Sequence, residues 1–106
     1  MAINKSSTKS KQKIKNRITL YRRRLALSQR RVATLLGYRD SSTLSVYESG
    51  RSMPPLPMAF RLAIVLRVPV EFLYPELYDS LRNHIRAEEE RLDRTRHKHH
   101  SSTSPV

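Results

Sequence analysis

The sequence predicts an all-α protein built around one core. Apolar residues recur at three- and four-residue steps between Ile18 and Leu92, the spacing of one helix face. Gly37, Gly50, Pro57, Pro69 and Pro75 cut that pattern into short segments, each where a helix would stop or start. At 106 residues the chain has room for one compact unit with tails, and too little for two independent cores.

Met1 to Lys15 interleaves lysine with Ser, Thr, Asn and Gln, and Ile3 and Ile14 are its only sizeable aliphatic residues. Residues 1–15 therefore read as a flexible basic arm that cannot bury enough surface to order itself. From Asn16 the spacing changes: Ile18, Tyr21 and Leu25 mark a first amphipathic helix, with Arg17, Arg23 and Arg24 between them. Ser28 offers the cap of a second, whose apolar stripe is Val32, Ala33 and Leu36 and whose stop is Gly37. Asp40 is placed to cap a third helix of Ser41 to Ser49, with Leu44 and Tyr47 inward and Gly50 ending it. The outer face of that helix is unusually uncharged.

Met53-Pro54-Pro55 forms a rigid connection, and Pro57 sits in the first turn of a fourth helix running to Leu66. Val68-Pro69 starts a short helix through Leu73, closing a domain of residues 16–74. Pro75 opens a last segment, 75–96, with Leu77, Leu81, Ile85 and Leu92 at helical spacing interrupted at Glu88 to Glu90; residues 97–106 read as a disordered tail.

Composition narrows the function. With no cysteine there is no disulfide, thiol nucleophile or thiolate metal site, and two glycines make no phosphate-cradling loop. No apolar run reaches the roughly 18 residues of a membrane span, and the basic start is not followed by an apolar secretory segment, so a soluble, cytoplasmic protein with no membrane partner is expected. The net charge of +12 is uneven: residues 1–53 hold 13 Lys/Arg against Asp40 and Glu48, residues 54–106 hold 8 against 7. That asymmetry points to a polyanion, nucleic acid first and an anionic membrane second, because each neutralised phosphate releases condensed counterions; a solubilising charge run remains the plainer alternative.

Other clusters have ordinary readings. His97, His99 and His100 fall in the tail and, with His84, have no carboxylate or thiolate spaced to complete a metal shell, so no metal and no cofactor is expected. Glu88, Glu89 and Glu90 run consecutively and face different directions on a helix, where Arg86, Arg91 and Arg94 pair with them. No nucleophile, base and orienting residue form a set, and the chain is read as a non-enzyme.

The string Leu27-Ser28-Gln29-Arg30-Arg31-Val32-Ala33-Thr34-Leu35-Leu36-Gly37, followed by Ser42-Thr43-Leu44-Ser45-Val46-Tyr47-Glu48-Ser49-Gly50-Arg51 and Pro54, resembles the Cro/repressor-type (lambda-repressor-like, xenobiotic-response-element) helix-turn-helix family. The likeness continues through Leu56, Leu62-Ala63, Leu66, Val68-Pro69 and Phe72-Leu73. It implies a compact five-helix DNA-binding domain, here with an extra C-terminal amphipathic helix, that binds double-stranded DNA as a homodimer with its recognition helices in successive major grooves about 34 Å apart.

The resemblance also assigns roles. Ser41, Ser42, Thr43 and Val46 match the base-reading positions; hydroxyls and a valine make weaker readers than a bidentate Arg or Gln. Ser28 and Gln29, at a helix N-terminus, and Arg51 match phosphate contacts. Arg22 and Glu48 match a structural ion pair linking the first and third helices. One residue more than the usual spacing lies between Gly37 and Glu48, which either aims Arg39 at the groove or leaves it on a phosphate or on Asp40. Leu56, Ala59, Leu62, Ala63 and Leu66 fill inward positions of the fourth helix, while Phe60, Ile64 and Val65 stand where polar residues are usual; the segment Leu77 to Leu92 covers them, a second copy does, or both do. The functional expectation is a sequence-preferring regulator, repressor or antitoxin-like, against the alternative of a protein-interaction module acting through its C-terminal helix, with the basic arm tethering it to nucleic acid or an anionic surface.

Overall fold

A computed structural model describes residues 13–99 and divides the chain into two units, Met1–Glu76 and Leu77–Val106. The first unit holds α1 (Ile18–Arg24), α2 (Gln29–Leu36), α3 (Ser42–Ser49), α4 (Leu56–Leu66), a 3-10 turn (Val70–Phe72) and the start of α5 (Pro75–His99), which continues through the second. The described residues contain no strand. The all-α architecture expected from the spacing is what forms, with the 3-10 turn as the fifth helical element of the domain.

Local sequence explains most boundaries. Ser28 takes an extended conformation and its hydroxyl accepts from the Arg31 amide at 3.0 Å, satisfying one of the free donors that open α2. Gly37 and Gly50 close α2 and α3 in the left-handed region, at φ 94° and 82°. Pro55 precedes α4 and Pro57 lies in its first turn, where a missing N–H costs nothing. At α3 the expected start shifts by one: Ser41 is the capping position, the helix begins at Ser42, and Asp40 acts from one residue further out, its carboxylate accepting from the Ser42 amide at 3.0 Å and hydroxyl at 2.6 Å.

The core of the first unit is one cluster: Ile18 from α1, Val32, Ala33 and Leu36 from α2, Leu44 and Tyr47 from α3, Leu62, Ala63 and Leu66 from α4, then Leu73 and Tyr74. α2 packs on α3 and α4, and α1 on α3 and α4, so α3 is held from two sides. Ala33 is fully buried where α2 meets α3, and its small side chain lets the two short helices approach. Each fully buried Leu, Ile or Val contributes about 1.5 to 3 kcal/mol of transfer free energy.

Two expected core residues lie outside. Leu25 is 38% exposed because α1 ends at Arg24; the chain turns through Ala26 at φ 57°, and Leu27 packs on the core instead. Leu56 is 64% exposed at the first position of α4, and Met58 packs inward in its place. Phe60 and Ile64 are exposed, whereas Val65 joins the periphery of the core.

In the second unit α5 is continuous through Glu88 to Glu90 and runs to His99, three residues past the expected end. Leu77, Tyr78, Leu81, Ile85 and Leu92 are all exposed on it. Its stability as a helix draws on neighbouring charges: Arg82 with Asp79, Arg86 with Glu89, Arg91 with Glu88 and Arg94 with Glu90, at three- or four-residue steps. The basic arm through Gln12 and the tail from His100 lie outside the described residues.

Candidate nucleic-acid interface

α3 is fixed by its inner face, and that fixing determines what its outer face can touch. Leu44 and Tyr47 are buried, and the Tyr47 hydroxyl lies 3.1 Å from that of Tyr38, tying the helix to the turn before it. Burial, reinforced by this hydrogen bond, pushes the Tyr47 hydroxyl up to about 12, so it stays neutral at any working pH. Ser42 is exposed, and Ser41, Thr43 and Val46 are partly exposed. Of the four residues expected to read bases, Ser42, Thr43 and Val46 are thus accessible on α3 and Ser41 at its capping position.

Cations flank this surface. Arg39, in the turn before α3, is exposed, and among the described residues it forms no ion pair with Asp40, whose carboxylate is engaged by Ser42 and held below the usual range by those hydrogen bonds. Arg51, just past Gly50, is exposed, with its Nε donating to the Ser49 hydroxyl at 3.2 Å. Ser28 sits exposed at the N-terminus of α2, its oxygen already accepting from the helix, so its O–H and the free backbone donors beside it are what a phosphate could meet.

Gln29 has a second partner that sequence reasoning did not foresee. Its amide donates to Glu48 Oε1 at 2.9 Å, placing it in the hub that anchors α3. There Arg22 Nε donates to Oε2 at 2.7 Å and Nη2 to Oε1 at 3.1 Å, a two-pronged contact, while Thr19 Oγ1 donates to Oε1 at 2.8 Å. Arg22 Nη1 continues to the Leu27 carbonyl at 2.9 Å. Both ion-pair partners are nearly buried, at 11% and 6% exposed. Burial pushes the Glu48 carboxyl up, but the hydrogen bonds from Arg22, Gln29 and Thr19 and the nearby guanidinium charge outweigh it, leaving the group more acidic than usual.

In the sequence Asn16 marks only the place where the helical spacing begins. Its Oδ1 accepts from the Ile18 amide at 3.1 Å at the start of α1, while its Nδ2 donates to the Tyr47 carbonyl at 3.2 Å, the Glu48 carbonyl at 3.3 Å and the Ile14 carbonyl at 3.1 Å. One side chain, a residue outside the capping position Arg17, thus satisfies the first amide of α1 and carbonyls at the end of α3. Its signal was an Asn two residues before an apolar periodic run; the second role depends on a partner some thirty residues away, which no local pattern shows.

A family model described as Helix-turn-helix matches residues 18–73, more than half of the chain and the span that forms α1 through the 3-10 turn. No curated protein and no solved structure matches.

Proposed function

Since the chain belongs to the Cro/repressor-type helix-turn-helix family and carries its DNA-binding domain, we propose that it is a sequence-preferring transcriptional regulator acting as a homodimer on double-stranded DNA. The observation that carries this is the accessible Ser41, Ser42, Thr43 and Val46 surface on a helix held rigidly by Leu44, Tyr47 and Glu48, with Arg39 before it and Arg51 after it. α3 enters the major groove; hydroxyls and a valine reach base edges, where they discriminate less than a bidentate Arg or Gln, and Arg51 with the α2 N-terminus holds the backbone. Repression of its own operon, as an antitoxin does, falls within this reading.

No described helix is long and apolar enough to cross a membrane. The protein acts in the compartment that holds DNA, the cytoplasm. A second reading is favoured by a specific feature: the exposed Leu77, Leu81, Ile85 and Leu92 of α5 suit a protein partner, with the basic arm as a tether. Selection of bound fragments from random duplex DNA separates the two. A regulator enriches a defined motif, and substitutions on the outer face of α3 abolish that enrichment; a tethered interaction module enriches none.

A further inference from the structure

The sequence reads residues 1–15 as a flexible arm; near its end, Ile14 is bonded to the body of the domain. The Ile14 amide donates to the Gly50 carbonyl at 2.8 Å, and Asn16 bonds to the terminal carbonyls of α3. Gly50 serves this crossing: a Cβ there would lie 2.5 Å from the Ile14 carbonyl oxygen and 2.9 Å from its nitrogen. Two features of the sequence, a missing side chain at position 50 and an amide at position 16, thus hold the chain against the C-terminal end of the recognition helix.

Pinned this way, the segment shows the period-two pattern of an extended chain: Ile14 and Asn16 are partly buried, and Lys13, Lys15 and Arg17 are exposed. An extended chain sets alternate residues about 6.6 Å apart, about the spacing of neighbouring phosphates along one nucleic-acid strand; Arg17, at φ −118° and ψ 23°, stands where the chain turns into α1. Among the described residues none of the three cations is ion-paired. They line an open groove of about 390 Å³ together with Glu48, which Arg22 already holds, and Glu76. No aromatic residue lines it for a base to stack on, and with Glu48 already neutralised by Arg22 its three cations face one further carboxylate, Glu76, so its net charge favours an anion.

We infer that Lys13, Lys15 and Arg17 form a rigid phosphate-binding rail, docked on the end of α3 by Ile14, Asn16 and Gly50, that grips consecutive phosphates of one DNA strand at a fixed place relative to the recognition helix. This rests on the DNA-binding reading above and adds a site to it. The rail adds a site to the charge that the lysines further upstream in the sequence carry.

The test uses the full chain and the duplex obtained by selection. Binding is measured against salt, and phosphate ethylation interference maps each contact. Replacing Lys13, Lys15 and Arg17 together by Gln is expected to reduce the slope of log affinity against log salt by between about 2 and 3, at about 0.9 per phosphate contact, and to erase interference at a short run of neighbouring phosphates. Replacing Lys5, Lys9 and Lys11 by Gln is expected to flatten the slope while leaving that run in place. Asn16→Ser retains every charge and can still accept from the start of α1, but is too short to reach the α3 carbonyls; it is expected to keep the parental slope and blur the run. A rail triple variant with unchanged slope and unchanged interference, in a parent that binds the duplex salt-dependently, overturns the rail and leaves the regulator reading standing. A parent that binds no duplex overturns both. Sharp interference in a folded Asn16→Ser protein overturns the docking.

Discussion

Arg22–Glu48 and Arg91–Glu88 have almost the same length, 2.7 and 2.8 Å, and very different surroundings. The first joins α1 to α3 with both side chains nearly buried; the second links residues three apart on α5, with side chains 59% and 45% exposed. The same contrast separates the two units. The helix-turn-helix body is held by apolar burial and by hydrogen bonds between residues distant in sequence, whereas α5 is described by charges adjacent on its own surface. An ion pair stabilises a fold where it has been desolvated and completed by other donors, and in water its length says little.

The largest effect expected from this contrast is at Glu48. Glu48→Ala leaves the Arg22 guanidinium without its partner in a nearly closed site and should cost about 3 to 5 kcal/mol in denaturant unfolding, while Glu88→Ala should leave the midpoint within the scatter of surface substitutions. Comparable losses at both positions would show the contrast to be false. The same pair gives a pH signature. Because the folded-state pKa of Glu48 is lowered, its contribution is complete above the ordinary carboxyl range, near pH 4.5, and disappears as pH falls through the lower folded value. Glu48→Gln should therefore lose less stability than the parent on acidification below about pH 4.5; parallel pH profiles would rule this out.

A smaller difference is expected between the two helix-ending glycines. Both have positive φ, so alanine at either is strained by about 1 kcal/mol. At Gly37 a Cβ meets nothing within 4 Å, but at Gly50 it runs into the Ile14 backbone. Gly50→Ala should consequently destabilise more than Gly37→Ala and also release the segment before α1, visible as faster amide exchange at Ile14. Equal destabilisation with a protected Ile14 amide would mean that the close approach yields freely.

The smallest energies concern DNA preference. Ser42→Ala or Val46→Ala should change which base is favoured at one position, each for less than about 1 to 3 kcal/mol. Arg51→Ala should weaken good and poor sites by similar factors, as phosphate contacts do. Gln29 is a less clean probe, since its removal also takes a hydrogen bond from Glu48. If Arg39→Ala alone shifts the selected motif, base reading belongs to the lengthened turn.

Much of this was legible in the sequence, wherever the cause is local. Ser28 caps α2 because a hydroxyl at that position reaches its own helix, and Gly37 and Gly50 stop helices because they accept a left-handed backbone. Leu44 and Tyr47 were identifiable as inward by spacing alone. Leu25 and Leu56 misled because each continues an apolar period just at a helix end, where the rotation that would carry it inward stops.

By itself, then, the sequence determined helix periods, most caps and stops, the family and the excess of positive charge in the first half of the chain, since each depends on residue type and short spacing. Only the tertiary structure decided that Asn16 joins α1 to α3, that Gln29 turns to Glu48, and that Ile14 crosses close to Gly50. These depend on which chain ends meet once the core has closed. A polar side chain's partner is chosen by distance in space, and no periodicity along the chain encodes that.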